Sequence, residues 1–378
     1  MAYRGLGLQL YNNDLFTPRL VEAGMEAKAE GLTFGTTVPG GFATLSFFWP
    51  CSFTESWRWY AERFFYRIVV SYAEKVVWEG RLEDVELRAE GVDLTFYGYF
   101  RNCYDIPFND TTSYTSGTHY ADEIIKDIIR AACDQIYPDF RYIESPNFNL
   151  APITFTNNGF PGDHFKRLGK IGDGKTSHPW YFAVWENRMP YFQRRKVGVP
   201  DWHVSKADLD LEAGFNLRRS ARDMWNEVAV IYTTYDGMQV ITPFKSDDDS
   251  KEKWNITRRG VFSMGQGGTD TARWVRNAYL RDHSSPMQEG ELVITGNVKD
   301  EAGAAHHLWE VRAGDLIQID DLIPEPEIVR NPELETLRIF HIKETEFDAA
   351  RWRLTVVPDW PGGSADIMLA RADLGARW

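Results

Sequence analysis

The run Gly169-Lys170-Ile171-Gly172-Asp173-Gly174-Lys175-Thr176 satisfies the spacing of a phosphate-binding loop. Such a loop works because a strand delivers the glycines and the following helix aims its free amides and dipole at the phosphates. Here a helical pattern comes first and the strand-like Trp180–Trp185 comes after. The run therefore reads as a glycine-rich turn closing a helix, and a nucleotide-binding enzyme is the least favoured of three readings. Ser263, in Gly260-Val-Phe-Ser-Met-Gly265, has one residue too many for a nucleophile elbow. His306 and His307 are adjacent, so on a strand they would point to opposite faces and could not share a metal. Cys51, Cys103 and Cys133 contain no C-x-x-C pair and are expected as buried free thiols. Asp320-Asp321 and Glu325/Glu327 could flank a glycosidic bond, but with 55 acidic residues some pairs must fall close by chance. Trp57, Trp59 and Tyr60 could stack on a sugar, although a core or subunit-interface role suits the same residue types better. No catalytic residue, cofactor or metal ligand set is expected.

The elements that would have to position these residues are mostly strands. Residues 19–48 alternate polar and apolar positions around a turn at Val38-Pro39-Gly40-Gly41. Short strands are predicted over 66–72, 75–78, 82–88 and 92–100, punctuated by Gly80 and Gly91. The pattern then changes. Ile124, Ile125, Ile128, Ile129 and Ala132 recur at helical spacing, and a second short helix is predicted from Asp163 to Ile171. Strands return at 180–185, 190–193 and 227–235. The acidic 246–250 reads as a solvated loop and 269–282 as a helix. Strands follow over 291–298, 308–311, 316–319, 337–346 and 351–357, with Ile323-Pro-Glu-Pro-Glu-Ile328 as an extended loop. No tight sequence repeat relates the two β-rich ends.

Composition sets the class. Of 378 residues, 43% are hydrophobic, 14% aromatic and 26% charged, which are the proportions of a folded chain. The aromatic load favours pleated surfaces. A formal net charge of -13 argues against gripping DNA or an anionic membrane, because both reward cations. No apolar run approaches the roughly 20 residues of a membrane helix, and the opening Met1-Ala2-Tyr3-Arg4-Gly5 does not suggest a secretory signal.

Several segments occur in a telling order: Gly31-Leu-Thr-Phe34 with Val38-Pro-Gly-Gly41-Phe42, Val77-Trp-Glu-Gly80-Arg81-Leu82 leading to Gly91-Val-Asp-Leu94, and Asn226-Glu-Val228-Ala-Val230 with Asp236-Gly237. Gly290-Glu-Leu-Val-Ile-Thr-Gly296, Val311-Arg-Ala-Gly314-Asp315, Ile342-Lys-Glu-Thr345 and Trp352-Arg-Leu-Thr355 complete the series. Together they resemble the baseplate-hub, or tail-tip hub, proteins of tailed bacteriophages.

The resemblance implies a mainly β fold with α+β insertions. Two tail-tube-like β-barrel domains would be joined by a mixed α+β domain and a small helical insert. The first barrel would be residues 1–105 and the α+β domain 106–215. The second barrel would be discontinuous, 216–244 with 286–360, around an insert at 245–285 and before a C-terminal tail, 361–378. It further implies a non-enzymatic virion protein without cofactors, assembled in the bacterial cytoplasm. Three chains would form a homotrimeric ring of six barrels. Its partners would be the tail tube or a distal tail protein and the spike, fibre or other tip proteins. DNA would be met only in transit, and membranes not at all. The alternative is a carbohydrate-binding or glycan-degrading β protein of the tail. On the ring reading the acidity repels DNA phosphates from the channel, and Asp84, Glu86, Asp315 and Asp320 are the candidate channel-lining residues.

Overall fold

The computed structural model describes residues 3, 5–14, 17–110, 112–114, 119–146, 155, 159–171, 180–196, 198–212, 214–234, 236–266, 268–331, 334 and 337–359. The N-terminal part contains β1 (Leu6–Tyr11), β2 (Leu20–Ala23), β3 (Glu30–Thr37), β4 (Gly40–Pro50), helix α1 (Phe53–Glu62), β5 (Arg67–Tyr72), β6 (Lys75–Arg88) and β7 (Gly91–Gly98). Alternation builds these strands. On β1, Leu6, Leu8 and Leu10 point into the core, and on β7 Val92, Leu94 and Phe96 do the same. All neighbours are antiparallel, in the spatial order β3-β4-β7-β6-β5-β1-β2.

The predicted break at Gly80 is absent, and β6 runs unbroken through it. Gly80 is needed because a Cβ there would lie 2.3 Å from the Tyr97 carbonyl oxygen and 2.4 Å from the Trp78 ring. A glycine inside a strand marks a close approach as readily as a turn.

A mixed unit follows: α2 (Ala121–Ala132), β8 (Tyr142–Ile143), α3 (Pro161–Ile171), β9 (Trp180–Trp185) and β10 (Met189–Arg194). β9 is buried along its length because both of its faces are covered. Tyr181, Ala183 and Trp185 join the core of the large sheet, while Trp180, Phe182 and Val184 pack with the isoleucines of α2 and with Phe165 and Leu168 of α3. The Arg81 side chain, 3% exposed, ties this unit to β6 through Asp105 at 2.6 Å and Gln135 at 2.8 Å.

The C-terminal part holds β11 (Trp202–Ser205), β12 (Phe215–Ser220), β13 (Glu227–Thr233), β14 (Gln239–Ile241), β15 (Lys245–Ser246), α4 (Asp248–Trp254), β16 (Arg259–Gln266) and α5 (Thr269–His283). It continues with β17 (Met287–Ile294), β18 (Val298–Lys299), β19 (Ala305–His306), β20 (Leu316–Asp320), α6 (Glu325–Arg330), β21 (Ile339–Asp348) and β22 (Arg353–Asp359). Three local expectations change. The proline-rich run becomes α6, since prolines in a first helical turn give up only amides that have no helical partner. Residues 308–310 form a 3₁₀ turn rather than a strand. The acidic segment Asp248–Trp254 is helical, with Asp247 accepting the Ser250 amide.

The expected second β domain is differently composed. β12 and β17 pair with each other, but β13 does not join them. It pairs with β14, β15 and β16 in a separate four-stranded sheet, where Val228, Val230 and Tyr232 lie under Ala272, Val275 and Tyr279 of α5. The inserted unit therefore starts before β13 and ends with α5, and it has its own small core.

The remaining strands run β12-β17-β22-β21-β20-β11. This order repeats the N-terminal one: β1, β3, β4, β5, β6 and β7 correspond in sequence and in space to β11, β12, β17, β20, β21 and β22. One direction differs, for β1 is antiparallel to β5 whereas β11 is parallel to β20. A ladder between β3 and β21 fuses the two sets into one sheet over one core. Among the described residues no ladder closes either set into a ring, so the chain is mainly β with two open sets of strands.

Candidate functional site

The four candidate acids separate into one pair that faces outward and two that are held in local networks. Asp84 and Glu86 are exposed on β6, alternating with Val85 and Leu87, which pack against the core. The Tyr97 hydroxyl donates to Asp84 at 2.8 Å, and that bond raises the Tyr97 pKa. Asp315 is half-buried. It accepts the Lys196 ammonium at 2.8 Å and the Trp202 indole N–H at 3.0 Å. Asp320 lies 3.4 Å from His203 and accepts from Gln318 at 2.8 Å.

Sequence reasoning missed the acids that continue the face of Asp84 and Glu86. On β21, Glu344, Glu346 and Asp348 point away from the core while Thr345 and Phe347 point inward. The β3–β21 ladder places Glu346 opposite Gly35 and Asp348 opposite Thr33, so the outward surface runs unbroken from β6 across β7, β4 and β3 to β21. Asp93 and Asp348 are offset by Arg88 and Arg353 respectively. Asp84, Glu86, Glu344 and Glu346 have no cationic partner in any ion pair described. Carboxylates two residues apart on a strand are separated by about 6.5–7 Å, within the screening length of roughly 8 Å at physiological salt, so their potentials add. The alternation Glu-Thr-Glu-Phe-Asp on β21 was the available signal, and it needed the fold to tell which face it shared.

The remaining motifs disperse. Gly169–Ile171 form the end of α3, and a Cβ at Gly169 would lie 2.6 Å from the Trp180 carbonyl oxygen. The rest of that motif, 172–176, lies outside the described residues, as does the whole of the predicted C-terminal tail, 361–378. Trp59 is fully buried, whereas Phe53, Trp57 and Tyr60 are exposed on α1 in edge-to-face contact. Cys103 and Cys133 are buried with their sulfurs 3.9 Å apart, and burial pushes the Cys103 thiol up. Cys51 is only half-buried. His306 and His307 separate as expected, His307 stacking on Trp309 at 4.1 Å. Among the described residues no group of three His, Cys, Asp or Glu could hold a metal, and no helix is long and apolar enough to cross a membrane.

Two histidines give the protein opposite pH responses. His306 bonds Glu310 at 2.9 Å and Asp300 at 3.1 Å, and these bonds raise its pKa. Its contribution is complete below the unfolded value of about 6.5 and is lost as pH rises through the folded value. His341 is driven down to about 3 by burial and by Arg195. It costs stability as pH falls below about 6.5, where only the unfolded chain takes up the proton. His306→Gln is therefore expected to flatten the fall in Tm as pH rises above about 6.5. Equal alkaline slopes in parent and variant would refute this assignment.

No family model matches the chain, and no curated protein matches it. Solved structures do. A 43 kDa tail protein of prophage MuSo2 from Shewanella oneidensis superposes with a TM-score of 0.61 at 12% identity, over 94% of this chain and 99% of that one. A tail protein from Neisseria meningitidis MC58 gives 0.58 at 8% identity, covering 95% and 99%. A prophage tail protein from Listeria monocytogenes EGD-e gives 0.55 at 10% identity, covering 94% and 95%. The chain thus shares its fold, over nearly its whole length, with these three tail proteins.

Proposed function

We propose that this chain is a structural, non-enzymatic hub of a phage tail tip, built into the virion. Its two β sets serve as tube-like modules. Three chains close into a ring of six modules that joins the tail tube above to spike or fibre proteins below. The observation that carries this reading is the repeated strand order within one chain. A doubled module lets a three-fold assembly present six similar edges, which is what a six-fold neighbour requires. The outward acidic face supports the same reading. Turned toward the lumen, Asp84, Glu86, Glu344 and Glu346 would repel phosphates and let DNA pass without sticking.

The test is a reconstruction of the assembled tail tip, with the mass of the isolated protein measured alongside. The expected result is a ring of three chains, with a mass three times 43.6 kDa wherever it survives in solution. Its channel would be lined by the β6–β21 face. A single chain per tail, or a channel lined by Lys and Arg, would overturn the reading.

A further inference from the structure

The β5–β6 turn, the Glu186–Arg188 turn, β11 and the Leu308–Glu310 turn line a half-open cavity of about 850 Å³, within the size range of small-molecule sites. One wall is aromatic. Tyr72 meets His307 at 4.6 Å and Trp309 at 4.9 Å, and Trp202 lines another side. The mouth is polar: Glu74, Lys75 and Asn187 are exposed there, and none has an ion pair or side-chain hydrogen bond among the described residues. Deeper in, Arg312 and Glu186 are already paired at 3.0 Å, and Glu310 is held by His306.

The backbone at the mouth is unusual. Ala73, Glu74 and Asn187 have φ of 45°, 67° and 59°, so three of the eight non-glycine residues with positive φ described line this one cavity. A two-residue hairpin turn with both central angles positive is ordinarily Asn-Gly, which adopts it without steric cost. This chain has Ala-Glu instead, and so places a carboxylate and the following ammonium at the opening. Strain of this kind collects where side chains must be presented.

We propose that this cavity binds a neutral saccharide. A cation would meet Lys75 and Arg312, and an anion would meet Glu74, Glu186 and Glu310. A wholly apolar ligand would desolvate Glu74 and Lys75 and offer neither a partner in place of water. A sugar offers apolar C–H faces to Tyr72 and Trp202. Its hydroxyls both donate and accept, which suits a carboxylate, an ammonium and an amide together. The inference does not depend on the ring, since a monomer and a trimer would carry the cavity equally.

Maltotriose, cellotriose and chitotriose should be titrated into the full chain by saturation-transfer NMR and calorimetry. At least one is expected to bind at millimolar concentration or below. Asn187→Gly and Glu74→Gly, made separately, relax the strained turns while each removes one polar group. Each is expected to lose at least tenfold in affinity with Tm unchanged or raised. No binding by any of the three sugars would overturn the proposal, as would binding that both variants retain.

Discussion

Glu79→Ala is expected to destabilise the protein by about 3–5 kcal/mol, the scale on which breaking one partner of a buried ion pair is felt. Glu79 is fully buried in the middle of β6. One carboxylate oxygen takes the Arg67 guanidinium at 2.5 Å and the other takes the Arg188 backbone N–H at 2.6 Å. The substitution strands two donors from two different elements, β5 and the turn after β9. Arg67 is 17% exposed and largely unable to regain water. Urea unfolding checks the size of the loss. The companion Glu79→Met/Arg67→Met is expected to recover most of it, because an apolar pair of similar volume removes the orphaned charge. Recovery will be incomplete, since the Arg188 amide still lacks its acceptor. A single variant that unfolds at the parental urea concentration would show that water reaches Arg67 and that the pair contributes little.

Glu79 also illustrates what was legible in the sequence. Its strand is legible as a β-rich run around Trp78-Glu79-Gly80-Arg81. The break assigned to Gly80 was wrong, because a glycine required by a close backbone approach looks the same in sequence as one required by a turn. The helices at 121–132, 161–171 and 269–283 could be read from their apolar periodicity, which is local. The membership of β13 could not. Glu227–Thr233 reads as a strand with a continuous apolar run over 228–232, and only α5, some 40 residues later, shows that it belongs to a separate core. The repeated strand order left no trace either. Pairing order is a property of the backbone, and many apolar sequences satisfy the same alternation. The candidate acids divide in the same way. Asp84 and Glu86 lie on one predicted strand, but their continuation on β21 depends on a ladder between residues about 310 positions apart, of the kind that Thr36 and Thr345 make directly.

That ladder carries the second large effect. Gly35→Val is expected to cost about 3–4 kcal/mol and, on the proposed three-chain ring, to prevent its closure. A Cβ at Gly35 would lie 2.3 Å from the Thr345 carbonyl oxygen, a backbone atom that no rotamer can move aside. Opening the ladder would also break the 2.6 Å bond between the Thr36 and Thr345 hydroxyls. It would disturb the Thr36 oxygen that accepts the Ala313 amide and the Gly35 carbonyl that accepts the buried Trp78 indole N–H. Overpacking costs about 1–3 kcal/mol and each lost internal bond about 1. The chain should nevertheless fold, because β3 keeps β4 and β21 keeps β22. Amide exchange should therefore quicken along 33–37 and 344–348 while β6 and β7 remain protected. Among the described residues this is the one ladder joining the two sets, so it fixes the angle between the modules. If that angle decides whether three chains close into a ring, folded Gly35→Val protein will remain monomeric on tails that assemble the parent. Rings of normal shape from the variant would show that contacts between chains set the geometry instead.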